Sequence, residues 1–267
     1  MYPHSDHNTR QPILDVRHLT VKYGQIRVLD DLTFHLHHGE RVAVVGPNGA
    51  GKSTLFKVVA GVLAPTSGEV QIYGNDPRKH LCIAYIPQRT QVDWHFPVSV
   101  ADVVMMGRSA KMKPFSWPLQ SDTRAVNQAL KTVEMLDLSK RQIGQLSGGQ
   151  QQRMFIARAL AQEAELILMD EPLSGLDTPS QEGVLALLKT LHEQGVTVMV
   201  ATHDLSQASD YFDRILLLNH KIIGFGEAKD VLTSEKLLTA FGGRLKVVDA
   251  DGHVVTVDDS CCHGGED

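Results

Sequence analysis

Long apolar runs are missing from this chain: none approaches the ~18 consecutive residues that a membrane-crossing helix needs. The first twelve residues, MYPHSDHNTRQP, are polar and lack the apolar core of a secretion signal, so export is not expected. Cysteine is scarce. Cys82, Cys261 and Cys262 are too few for a disulfide scaffold and suit a reducing compartment. Nor is there an excess of positive charge. The 26 Lys and Arg residues against 31 Asp and Glu leave a net charge of -5, which argues against nucleic acid or an anionic membrane surface as the main partner. There is no internal repeat and no low-complexity block. What remains is a 267-residue soluble composition, 42 % hydrophobic and 21 % charged, long enough to bury a sizeable core.

Strand-like runs separated by tight turns fill the opening part: ILDVRHLTVKYG, VLDDLTFHLHHGE, ERVAVVG, GEVQIYG and CIAYIP. Helical spacing appears in STLFKVVAGVL and then, from about 98 to 161, becomes dominant. SVADVVMMGR has a serine start, SDTRAVNQALKTVEML is amphipathic with a Ser/Asp cap, and the proline-bearing KMKPFSWPLQ between them reads as a loop. Strand and helix alternate again from 165: ELILMDEP, SQEGVLALLKTLHEQG and VTVMVATHD, followed by RILLLN, KIIGFGE and the helical SEKLLTAFG. The simplest architecture is an α/β core interrupted by a helical insertion, with a short C-terminal tail.

GPNGAGKST carries the phosphate-loop pattern G-x-x-x-x-G-K-[ST] over 46–53, with a buried strand before it and a helix after it. Gly49 and Gly51 let the backbone curl so that N–H groups face phosphate, Lys52 reaches the outer phosphates, and the Ser53 hydroxyl suits Mg²⁺. Phosphoryl transfer also needs acids, and LILMDEP sets two at the end of a buried strand. Asp170 is placed for Mg²⁺ and Glu171 to polarise the attacking water. A later strand ends at His203, whose imidazole could bond the outer phosphate. A hundred residues beyond the loop comes a second phosphate-gripping device: LSGGQ at 146–150 leads a Ser-Gly-Gly turn straight into a helix.

Together these motifs resemble the nucleotide-binding subunit of ABC transporters, over about 14–242. The resemblance implies an α/β fold: a P-loop NTPase core of ABC ATPase type, with an antiparallel β subdomain and an inserted helical subdomain. It assigns an ATPase domain to 13–242, the helical insertion to about 98–161 and a tail to 243–267. It implies ATP and Mg²⁺ as cofactors. Tyr23 matches the aromatic that stacks on adenine, and Gly46, Asn48, Gly49, Gly51, Lys52, Ser53 and Thr54 match the Walker A loop. Glu171, His203 and Gln88 match the catalytic glutamate, the switch histidine and the Q-loop glutamine. Ser53, Gln88 and Asp170 are then the Mg²⁺ residues, and Asp177 in SGLD matches the D-loop. In this family two copies pair head to tail, so that Ser147, Gly148, Gly149 and Gln150 would close over the nucleotide of the other copy. The residues alone leave open whether that turn serves its own chain or a second one.

Without a membrane span, a transport role requires separate integral membrane permease subunits and, indirectly, an extracytoplasmic binding protein. The chain would then sit at the cytoplasmic face of the inner membrane. The stretch PQRTQVDWHFPVSVADVVMMGR (87–108) resembles cassettes of bacterial metal importers, the manganese and iron branch above all. Trp94, Phe96, Met105 and Met106 there offer either docking contacts for a membrane subunit or ordinary core. Cys261, Cys262 and His263 in the tail are candidate ligands for zinc or ferrous iron, set against a plain disordered end. His35, His37 and His38 read as a solvated strand face. Other readings are a cassette for another cargo or a soluble ABC ATPase. A DNA-acting one would need a coiled-coil insertion, and a ribosome-associated one a second cassette; neither is present.

Overall fold

The computed structural model describes residues 11–77, 82–113 and 117–242. The tail candidates Cys261, Cys262 and His263 lie outside the described residues.

Two sheets organise the chain. β1 (Leu14–Tyr23), β2 (Ile26–Leu36) and β4 (Ser67–Ile72) form an antiparallel sheet in the order β2-β1-β4. The second sheet runs β5 (Ile83–Ile86), β6 (Leu166–Asp170), β7 (Thr197–Thr202), β3 (Arg41–Val45), β8 (Arg214–Asn219) and β9 (Lys221–Gly226). Its first five strands are parallel and β9 returns antiparallel on β8. Parallel strands are buried on both faces, which is why they read as continuous apolar runs rather than alternating ones.

Strand parity then divides the core in two. Ala43, Val45, Ile167, Met169, Val198, Val200, Ile215 and Leu217 face the helical side. Val42, Val44, Leu166, Leu168, Met199, Ala201, Leu216 and Leu218 face the antiparallel sheet and α1 (Lys52–Val59). Each Val, Leu, Ile or Met among them contributes on the order of 2 kcal/mol through burial, and a one-residue slip would exchange the two faces.

The insertion holds α2 (Val100–Met106), α3 (Gln120–Thr132) and α4 (Gly148–Ala161). α2 starts as expected: Ser99 Oγ accepts the Asp102 N–H and the Asp102 carboxylate accepts the Ser99 N–H. The expected Ser/Asp cap of α3 sits one turn too deep. The helix begins at Gln120, and Asp122 works from its third position, accepting the Leu119 N–H at 2.9 Å. α1 and α3 also end early. The first stops before Gly61 (φ 71°), where glycine takes the left-handed region freely, and the second before Glu134 (φ 57°). A buried ion cluster joins the three helices: Arg108 donates to Asp122 (3.0 Å), to Glu163 (2.7 Å) and to the Ala161 carbonyl (2.9 Å). α5 (Thr178–Glu193) and α8 (Ser234–Phe241) follow expectation. Two short helices, α6 (Leu205–Tyr211) and α7 (Ala228–Val231), were not legible, being about one or two turns long. His35 and His37 are exposed, and no cluster among the described residues is set to hold a metal.

Candidate active site

β3 ends at Val45 and gives way at once to the glycine loop, whose glycines are demanded by space and by backbone sign. A Cβ on Gly46 would lie 2.0 Å from the Leu218 carbonyl oxygen of β8. Gly49 and Gly51 have φ of 84° and 99°, and a Cβ on Gly51 would also meet Leu29 Cδ2 at 2.6 Å. The loop is thereby pinned between β2 and β8, with its backbone turned inward and α1 starting immediately after it. Lys52 is buried. Its Nζ donates to the Gly46 carbonyl at 2.6 Å and the Pro47 carbonyl at 3.0 Å, which braces the loop from inside.

An open cleft of about 620 Å³ lies in front of this loop. Tyr23, Val28, Asn48, Gly49, Gly51, Lys52, Ser53, Thr54, Gln88 and Glu171 all line it. Tyr23 reaches the rim because β1 and β2 are joined by a two-residue turn, Gly24 (φ 58°) and Gln25, which leaves its ring half exposed. Neither Ser147, Gly148, Gly149, Gln150 nor Asp177 lines the cleft, and His203 stands behind Glu171.

The acids at the end of β6 divide in character. Asp170 is buried, and desolvation pushes its carboxyl above the usual range, opposed by a hydrogen bond from the Ser53 hydroxyl and reinforced by the Glu171 charge. The Tyr85 hydroxyl also reaches it, at 3.5 Å. Glu171 is held below its usual value by His203, and His203 above its own by Glu171, although His203 Nδ1 stands 3.9 Å from Glu171 Oε1. The Gln88 amide donates to Glu171 Oε2 at 3.2 Å. Glu171 sits at φ 48°, an unusual backbone for a residue with a Cβ; its own N–H is anchored on the Ala201 carbonyl of β7 at 3.0 Å. The strand thus ends in a buried acid beside a hydroxyl and a second, ionised acid facing the cleft.

The Ser-Gly-Gly turn of LSGGQ (146–150), the signature turn, is the N-terminus of α4. Ser147 Oγ accepts the Gln150 N–H at 3.3 Å and Gln150 Oε1 accepts the Ser147 N–H at 3.0 Å. The Ser147 O–H proton is not used in this box. Gly148 and Gly149 are close-packing positions: a Cβ would meet Arg89 Nη1 at 2.7 Å from the first and Ser180 Oγ at 2.7 Å from the second. Asp177 precedes α5, is exposed and caps no helix N–H with its side chain. The sequence reading missed Gln181 and Gln207. Gln207 Nε2 donates to Gln181 Oε1 (3.2 Å) and Gln181 Nε2 to the Leu176 carbonyl (3.0 Å), joining the segment after His203 to the turn before Asp177. Nothing in their spacing marks them, since both lie on ordinary polar helix faces.

The proposed docking residues split. Trp94 packs edge-on against Phe155 and donates Nε1–H to the Arg89 carbonyl, and Met105 packs on the core, whereas Phe96 and Met106 are half or more exposed.

A cleft lined by a glycine loop, a lysine, a hydroxyl and the Glu171 carboxylate, with Asp170 against Ser53, suits a polyphosphate with its cation. The Ser53 hydroxyl, the Asp170 carboxylate and the Gln88 amide oxygen are hard donors of the kind Mg²⁺ takes. Comparison with known proteins agrees. The profile of the ABC transporter family matches residues 29–174. The manganese transport system ATP-binding protein of Bacillus subtilis is 45% identical over 246 residues, 90% of this chain and 98% of that protein. The zinc transport system ATP-binding protein of Treponema pallidum is 43% identical over 233 residues, 87% and 88% of the two chains. A solved metal-chelate type ABC transporter in an inward-facing conformation superposes with a TM-score of 0.78 at 37% identity, covering 86% of this chain and 89% of the other.

Proposed function

The chain belongs to the ABC transporter family and is an ATP-binding ATPase, and from that premise we propose that it energises uptake of a divalent metal ion, manganese first, then iron or zinc. The observation that carries the enzymatic reading is the convergence of Lys52, Ser53, Gln88 and Glu171 on one cleft, with Asp170 against Ser53. The cargo reading rests on the relatives named above.

ATP is the substrate. Tyr23 offers its ring face to the base, and the 46–54 backbone and Lys52 take the phosphates. Ser53, Asp170 and Gln88 would hold Mg²⁺, which when bound would supply charge neutralisation for phosphoryl transfer. Glu171, kept ionised by its histidine neighbour, accepts the proton of the water as its oxygen attacks the γ-phosphorus; the bond to the bridging oxygen breaks, and ADP and phosphate leave. The family resemblance gives His203 the contact to the transferred phosphoryl group; here it stands outside the lining of the cleft, beside Glu171. The ATPase unit spans 13–242 with the helical part at about 98–161. The signature turn lies away from the chain's own cleft, which favours a head-to-tail pair in which Ser147, Gly148, Gly149 and Gln150, with Asp177, complete the second copy's site.

No helix among the described residues is long and apolar enough to cross a membrane, so permease subunits supply the path and an extracytoplasmic binding protein the cargo. The chain then works from the cytoplasmic face, docked through the exposed Phe96 and Met106. Radiolabelled manganese uptake, with zinc and iron as competitors, is the test in cells carrying the chain or its Lys52→Ala variant. Uptake lost in the variant supports the reading; manganese uptake indifferent to Lys52 overturns it.

A further inference from the structure

The residue after Gln88 is Arg89, and it does not line the nucleotide cleft. Its Nε–H and an Nη2–H both go to one acceptor, Gln151 Oε1, at 3.1 and 2.9 Å. Gln151 is 6% exposed, and its amide N–H donates to the Leu146 carbonyl at 3.3 Å. Guanidinium, buried amide and backbone therefore form one hydrogen-bonded path from residue 89 to the start of the signature turn. Two further contacts tighten it. Arg89 Nη1 fills the space where a Cβ on Gly148 would stand, at 2.7 Å. The Arg89 carbonyl accepts Trp94 Nε1–H at 3.2 Å, and the Trp94 ring packs on Phe155 of α4. On the other side, Gln88 is bonded to Glu171 at 3.2 Å. Only one peptide unit separates the amide that faces the cleft from the guanidinium that holds α4. Pro87 before them has a fixed φ, and a 3₁₀ turn starts at Arg89 itself, so little slack is available.

We propose that Arg89, acting through Gln151, is a positioning residue that holds the signature turn in the orientation it presents to the other copy. The inference rests on the two-copy reading above. Arginine suits the task because its fork places two N–H groups on one oxygen and so fixes direction as well as distance; lysine offers a point charge without that constraint. Removing the clamp leaves the chain's own cleft intact and frees the turn to sample other orientations.

The experiment uses the full chain in a Glu171→Gln background with Mg²⁺ and ATP. Sedimentation gives the dimer dissociation constant, and a fluorescent ATP analogue at protein concentrations below dimer formation gives the affinity of the single cleft. Arg89→Met and Gln151→Met should each weaken pairing about tenfold, the scale of one charge-assisted hydrogen bond, with cleft affinity unchanged. The double variant should be no weaker than either single one, because both remove the same clamp. Gln151→Glu keeps the acceptor for both Arg89 N–H groups but can no longer donate to the Leu146 carbonyl, so it should weaken pairing as Gln151→Met does. Parental pairing in Arg89→Met, or losses that multiply in the double variant, overturns the inference. Arg89→Lys carries the same test with a smaller loss where Arg89→Met does not fold. A parent that fails to pair with ATP at all brings down the two-copy reading instead.

Discussion

Gly149→Ala tests the packing beneath the signature turn. Gly149 is the second residue of α4 and buried, and an added Cβ would lie 2.7 Å from Ser180 Oγ and 2.9 Å from Ser180 Cβ on α5. The hydroxyl could rotate away, but the Cβ cannot, so the two helices must separate. Overpacking of this kind costs about 1–3 kcal/mol, while replacing a helical glycine by alanine regains up to about 1 kcal/mol. The net loss is about 1–2 kcal/mol, which for a domain of this size lowers Tm by roughly 2–8 °C. Thermal unfolding followed by circular dichroism without nucleotide reads the shift. The decisive comparison is the same substitution made in a Ser180→Gly background, where the obstruction is gone and the cost should vanish. A Tm unchanged or raised by Gly149→Ala alone, or a cost that persists in the Ser180→Gly background, refutes the steric account.

Three further expectations follow from the geometry. Asp122→Ala removes one of the two acids paired with a buried guanidinium, which keeps Glu163 and the Ala161 carbonyl, and should cost about 3 kcal/mol, a drop of roughly 6–12 °C in the same assay. Glu171→Gln should lower kcat by at least about 100-fold with ATP still bound, measured by phosphate release alongside nucleotide titration. The Glu171–His203 pair carries a pH signature: its contribution is full between the ordinary Glu and His values, fades as pH rises through the raised His203 value and fades again as pH falls through the lowered Glu171 value. His203→Ala should therefore lower Tm more at pH 5.5 than at pH 9, the stability difference staying below ~1 kcal/mol because His203 is 56% exposed and screened by water.

Most of the secondary structure was legible because its signals are local. β3, β6, β7 and β8 are unbroken apolar runs, and Ser99 announces α2 in the four residues that form its cap. The misplaced start of α3 has a different origin. Its cap is a carboxylate working backwards from Asp122, and that same carboxylate is claimed by Arg108, a partner that no local pattern reveals. The turn-length helices α6 and α7 are held by packing rather than by periodicity.

The chemical character of the site is written in short stretches of the chain. The glycines at 46, 49 and 51 with Lys52 and Ser53 spell a phosphate-loop pattern, and two acids at the end of an apolar strand point to a cation and a water. How those parts are connected follows from folding, not from spacing. It paired Gln88 with Glu171 and set the signature turn outside its own cleft. It also split Trp94 from Phe96, and ran Arg89 to Gln151 across 62 residues of chain. Backbone propensity and spacing act over a few residues, whereas these contacts depend on which faces of distant elements the two cores bring together.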